Sequence, residues 1–106
     1  MTNKKRLELA QMILDNPDLD IVCMTDSDVV ADDCYLNWLS QINSFRIDEY
    51  NKEDEYGESY RVWFKSDIDD MIEWFEDMQE MSTEEATKKA EETKWEKVIV
   101  LNIGTP

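Results

Sequence analysis

The sequence predicts an α+β domain, with a small, mostly antiparallel sheet of about four strands and three helices in the order α-β-(ambiguous)-β-β-α-α-β. Three observations carry this. Residues 45–50, "FRIDEY", and 59–64, "SYRVWF", alternate side chains with the two-residue period of a strand. Residues 98–101, "VIVL", are successive apolar side chains, mostly β-branched, as in a strand buried on both faces. Two later stretches open on capping residues and continue with apolar side chains at steps of three and four, the helical pattern.

Taken in order, the first predicted helix covers residues 3–15, where Leu7, Leu9, Ala10, Ile13 and Leu14 make an apolar face. Asn16 ends it, because Pro17 holds the residue before it out of the helical region. "DIVCM" at 20–24 predicts a short strand, and "TDSDVVADD" at 25–33, without a period, a loop. Residues 33–42 stay ambiguous: Cys34, Tyr35, Trp38, Leu39 and Ile42 fit one face of a helix, and a strand fits as well. The acidic stretch "DEYNKEDEYGE" at 48–58 lies between the two alternating runs and holds Gly57, which makes a β-hairpin with a longer loop. Ser66 is the expected N-cap of a helix from Asp67 to about Glu80, with Ile68, Met71, Ile72, Phe75 and Met78 as its apolar stripe. "STEE" at 82–85 is a capping box, with Ser82 as N-cap and Glu85 reaching back. The helix it opens runs through about Thr93 and is supported by Glu84–Lys88 and Glu85–Lys89 pairs in the favourable order. "KVIVLNI" at 97–103 is the closing strand.

A chain of 106 residues is the size of one domain, residues 1–106. Its charge is the outlier: 11 basic residues against 26 acidic ones give −15, with a sequence pI near 4.1. That charge repels nucleic acid and anionic membranes. The expected partner is therefore basic, a cationic protein surface or metal cations, with self-association into a homodimer left open. The first residues lack the apolar core of a leader peptide, and no run approaches about 20 apolar residues, so the expected location is cytoplasmic.

Enzymatic templates fall short. Without histidine, neither a Ser-His-Asp triad nor a Cys-His pair can form. Neither a phosphate-binding GxxxxGK[ST] loop nor GxGxxG occurs. Cys23 and Cys34 are too far apart for a CxxC zinc motif. In "DSDVVADD" at 26–33, an EF-hand count from Asp26 puts Val30 and Ala31 where Asp/Asn and Gly are required. No enzyme activity, cofactor or dedicated metal site is expected.

The informative feature is how the acids are grouped. The stretch 67–80 carries Asp67, Asp69, Asp70, Glu73, Glu76, Asp77 and Glu80 and no positive charge. Asp70, Glu73, Asp77 and Glu80 fall at i, i+3, i+7 and i+10, one helical face. Asp69–Glu73 and Glu73–Asp77 are like-charge i,i+4 pairs, which weaken a helix. A local conflict of that kind is expected where a surface serves a function. The candidate partner-binding residues are Asp48, Glu49, Tyr50, Glu53, Asp54 and Glu55 near the hairpin, and Asp69, Asp70, Glu73, Asp77 and Glu80 on the helix. Tyr56, Trp63 and Trp74 are further aromatic anchors for such an interface. Two other readings compete: an interaction or regulatory module whose acidity serves solubility, and a weak divalent-cation binder.

The run "DIVCMTDSDVVADDCYLNWLSQINSFRIDEYN" through "RVWFKSDIDDMIEWFED" resembles small acidic proteins encoded by phages and prophages of Gram-positive bacteria. The cues are "NPDLDIV", "RIDEY" and "VWFKS" leading into an acidic helix, and the likeness covers about two thirds of the chain. It carries over no functional residues. By size, charge and patterning the chain is also similar in type to anti-CRISPR proteins that imitate DNA. That likeness implies a phage-type inhibitor that binds the basic nucleic-acid-binding surface of a host protein, a Cas nuclease or another nucleic-acid-binding protein, and blocks nucleic-acid access.

Overall fold

Three α-helices and a four-stranded mixed sheet make up the described residues, 1–29, 39–51 and 62–106, of the computed structural model. The helices are α1 (Asn3–Asp15), α2 (Ile68–Met78) and α3 (Thr83–Glu92). The strands are β1 (Asp20–Thr25), β2 (Gln41–Asn51), β3 (Trp63–Phe64) and β4 (Glu96–Gly104), in the sheet order β1-β4-β2-β3. The α+β class stands. The mostly antiparallel expectation does not, because β1 pairs parallel with β4 from Asp20↔Val98 to Thr25↔Ile103. Alternation reports which residues share a face and says nothing of strand direction. The doubly buried run in β4 was the one pattern that favours parallel pairing. Residues 33–38 of the ambiguous segment lie outside the described residues; Gln41 and Ile42 belong to β2, which starts earlier than the alternation implied. The start of "SYRVWF" also lies outside them, and Val62 precedes β3.

By their contacts the residues divide into two units, Met1–Ile47 with Val98–Pro106, and Asp48–Lys97. In the first unit, the Thr2 hydroxyl caps α1 by accepting the Lys5 amide at 3.2 Å. At the other end the Asn16 side chain donates to the Met12 carbonyl at 2.8 Å. The expected apolar face of α1 needs correction. None of its residues is buried; Leu9 and Met12 are half-buried, and Leu7 and Leu14 are exposed. Five apolar residues at mixed spacings spread round the helix instead of forming one stripe. In β1, Val22 and Met24 are half-buried while Ile21 and Cys23 are exposed. Val98, Ile99 and Val100 of β4 are fully buried, both faces of the strand being covered. The Asp26 amide donates to the Ile103 carbonyl at 2.9 Å before a 3₁₀ turn, Ser27–Val29, that buries Val29.

In the second unit, β2 and β3 pair antiparallel, with Tyr50 opposite Phe64 and Asn51 opposite Trp63. This is the root of the expected hairpin. A 3₁₀ turn, Lys65–Asp67, leads into α2. Ser66 is not the cap: Asp67 holds the N-cap position without a side-chain hydrogen bond, and the Ser66 hydroxyl donates to Asp48 Oδ2 at 2.6 Å. A carboxylate 18 residues back offers a stronger, charge-assisted acceptor than a role on the helix's own amides. The Ser82 capping box is formed, its hydroxyl accepting the Glu85 amide at 3.2 Å. Met71 and Phe75 of α2 pack with Ala86 and Ala90 of α3, and Trp63, Ile68, Ile72, Trp74, Met81 and Trp95 cover them. The two alanines, four apart, let the helices approach closely along one side of α3. Met78 is not part of this core; it is 68% exposed.

Candidate functional site

The core fixes which side of α2 meets water. With Met71 and Phe75 turned inward, Asp69, Asp70, Glu73 and Asp77 all point outward and are exposed, and Glu76 is half-buried at the border. Asp70, Glu73 and Asp77 follow one another at about 4.5 and 6 Å along the axis. Asp69 and Asp70 lie in the first turn and gain from the helix dipole. Glu73 and Asp77 have no such help and repel within the row by a few tenths of a kcal/mol per pair.

Positive charge from α3 reaches the carboxyl-terminal end of the helix. Lys89 of α3 places its ammonium 4.8 Å from the Phe75 ring centre and donates to Gln79 Oε1 at 2.9 Å. It thus sits at the carbonyl end of α2, where positive charge is favoured. Lys88 reaches Glu92 at 3.9 Å rather than Glu84.

Glu80 is not the last member of the row. The helix ends at Met78, and Glu80 follows in the left-handed conformation, φ 51°. That turn lets the Met81 amide reach the Phe75 carbonyl at 3.3 Å.

Asp48 and Glu49 lie at the far end of β2 and meet the entrance to α2. Asp48 accepts from Ser66 and, at 2.8 Å, from the Glu49 amide; Glu49 pairs with Lys65 at 3.2 Å. These half-buried carboxylates organise the turn before α2 through Ser66 and Lys65. Tyr50 is corrected: it is 8% exposed and its ring stacks on Phe64 with centres 6.4 Å apart. It is a core residue, placed there by its register opposite Phe64. Glu53, Asp54, Glu55 and Tyr56 lie outside the described residues.

Trp74 is half-buried, with its ring centre 6.2 Å from Trp63 and 5.6 Å from Phe75. At 100° per residue it borders the acidic row, and Met78 lies next to it. Met78 was the residue that sequence reasoning missed. Its spacing fits the core stripe, and only its place in the last turn, just before the helix ends, hints that the stripe runs out.

Among the described residues no group of three or more cysteine or carboxylate side chains comes together to hold a metal ion. Asp32 and Asp33 of the 26–33 segment lie outside those residues. No described helix is long and apolar enough to cross a membrane. No protein-family model matches the chain, and neither a curated protein nor a solved structure shows a significant similarity to it.

Proposed function

We propose that this chain is an acidic inhibitor of the phage type, which occupies the basic nucleic-acid-binding surface of a host protein and blocks access of nucleic acid. A Cas nuclease is the first candidate for that host protein. The observation that carries this is the outward row Asp69, Asp70, Glu73 and Asp77 on a helix held from behind by Met71 and Phe75. A rigid row with a charge every ~5 Å is comparable to the ~3.4 Å of axis per phosphate along a DNA strand. A basic groove shaped for that polyanion accepts such a row, with fast, steered association that weakens as salt rises. Trp74 and Met78 supply apolar contact beside it.

The test is binding to a Cas nuclease–guide complex, with and without target DNA, at several salt concentrations. The expected results are competition with DNA and an affinity that falls with salt. Reversing Asp70, Glu73 and Asp77 to lysine should abolish inhibition while the circular dichroism spectrum stays unchanged. Affinity indifferent to both DNA and salt removes mimicry as the mechanism.

A further inference from the structure

Helix α1 has apolar side chains on two opposite sides. Lys5, Leu9 and Met12 share the side that turns toward the rest of its unit: Lys5 lies 5.9 Å from the Phe45 ring centre, and Leu9 and Met12 are half-buried. At 100° per residue, Leu7, Ala10 and Leu14 share the other side, at i, i+3 and i+7. Leu7 and Leu14 are 71% and 73% exposed. A surface helix ordinarily needs a single apolar stripe, so the outer one is surplus to folding.

The charges on the same helix say what covers it. Lys4, Lys5 and Arg6 stand at its amino end and Asp15 at its carboxyl end, with no acid in the first turn and no base in the last. This is the reverse of what the helix dipole favours. It is the correct polarity for an antiparallel neighbour of the same sequence, whose acidic end meets this basic one. Lys4 and Asp15 also border the outer stripe on the same flank, at opposite ends. A two-fold axis beside the outer face of α1, perpendicular to the helix at its middle, brings each Lys4 to the other copy's Asp15 and lays Leu7 toward the other copy's Leu14. That is the self-complementary geometry of an isologous contact.

We propose that the outer face of α1 is a self-association surface, on which a second copy of this chain docks antiparallel through Leu7, Ala10 and Leu14 with reciprocal Lys4–Asp15 pairs. A helix of 13 residues spans about 20 Å, so the contact is small and the dimer weak. The contact uses residues of α1 alone and none of the acidic row of α2, so either proposal can fail alone.

Sedimentation equilibrium of the full chain at ~0.15 M salt, where the screening length is about 8 Å, tests it. The expected mass rises from 12.6 kDa toward twice that value as concentration goes from micromolar to millimolar. Leu7→Ser with Leu14→Ser should raise the dissociation constant at least about tenfold with no loss of helix, since both side chains are exposed. Lys4→Glu and Asp15→Lys should each raise it about three- to tenfold, two surface pairs being lost. Combining them should restore association to within about twofold, because the pairs re-form with sign reversed. A mass fixed at 12.6 kDa, association unchanged by the leucine substitutions, or a double variant no better than its singles each overturns the proposal.

Discussion

The two units divide charge and apolar surface unequally. Over Met1–Ile47 with Val98–Pro106, 4 basic residues stand against 8 acidic ones, a net −4; over Asp48–Lys97, 7 stand against 18, a net −11. Exposed apolar side chains run the other way. Of the large ones left exposed among the described residues, only Met78 belongs to the second unit. The second unit packs its aromatics around Met71 and Phe75 and leaves carboxylates outside. The first unit buries the Val98–Val100 run of β4 yet leaves α1 apolar on its outer side. The difference teaches that a net charge of −15 describes neither surface. On the proposals above, one unit meets an unlike, basic partner, and that binding should weaken with salt. The other meets a like chain through apolar contact, which screening the repulsion between two acidic copies should favour.

The largest effect should come from the inner side of α2. Phe75→Ala removes the ring that touches Trp74, Lys89 and the α3 alanines. Chemical denaturation should show a loss of about 3–5 kcal/mol. Leu14→Ala in α1, equally apolar but exposed, should stay within about 0.5 kcal/mol in dilute solution. Similar losses for both would break the comparison, because Leu14 would then be a packing residue of its own unit.

The second unit was the more legible in the sequence, for a physical reason. Its helix stripe and its capping box are local patterns, each set by neighbours within a few residues. Ser82 is where the pattern placed it. What went astray depended on distant residues. Ser66 matched a cap until Asp48, 18 residues away, took its hydroxyl. Tyr50 looked like a surface anchor until its register set it on Phe64. The parallel pairing of β1 with β4 joins residues 78 positions apart, Asp20 with Val98 through Thr25 with Ile103, and no local period encodes that. In α1 the residues 3–15 matched the expected helix, yet periodicity could not tell which of its two apolar sides would be covered. For the candidate site, the row Asp70, Glu73, Asp77 was legible from spacing alone, whereas Glu80 was lost from it because the helix stops at Met78.

The two helices of the second unit start differently, and this gives a smaller effect. Ser82→Ala removes the hydroxyl that accepts the Glu85 amide. It should cost about 1 kcal/mol, seen as a lower denaturation midpoint with unchanged slope. Asp67→Ala, at a cap position without a side-chain hydrogen bond, should cost clearly less. Equal costs would mean that the Asp67 charge near the helix amides matters as much as a capping bond.

The smallest effect is a gain. Glu80 holds φ 51°, the left-handed region in which a β-carbon costs about 1–2 kcal/mol. The turn persists because it brings Met81 back onto the core and its amide onto the Phe75 carbonyl. Glu80→Gly removes the strain but gives the unfolded chain more freedom. The net gain should be about 0.5–1 kcal/mol, a rise of a few degrees in Tm. It also removes one charge from the more acidic unit, so Glu80→Ala is the necessary control, since it takes away the charge and keeps the β-carbon. Glycine alone should stabilise if backbone geometry limits this unit. Equal gains from both variants would instead make charge repulsion the limit, and would extend the electrostatic contrast between the units from their surfaces to their stability.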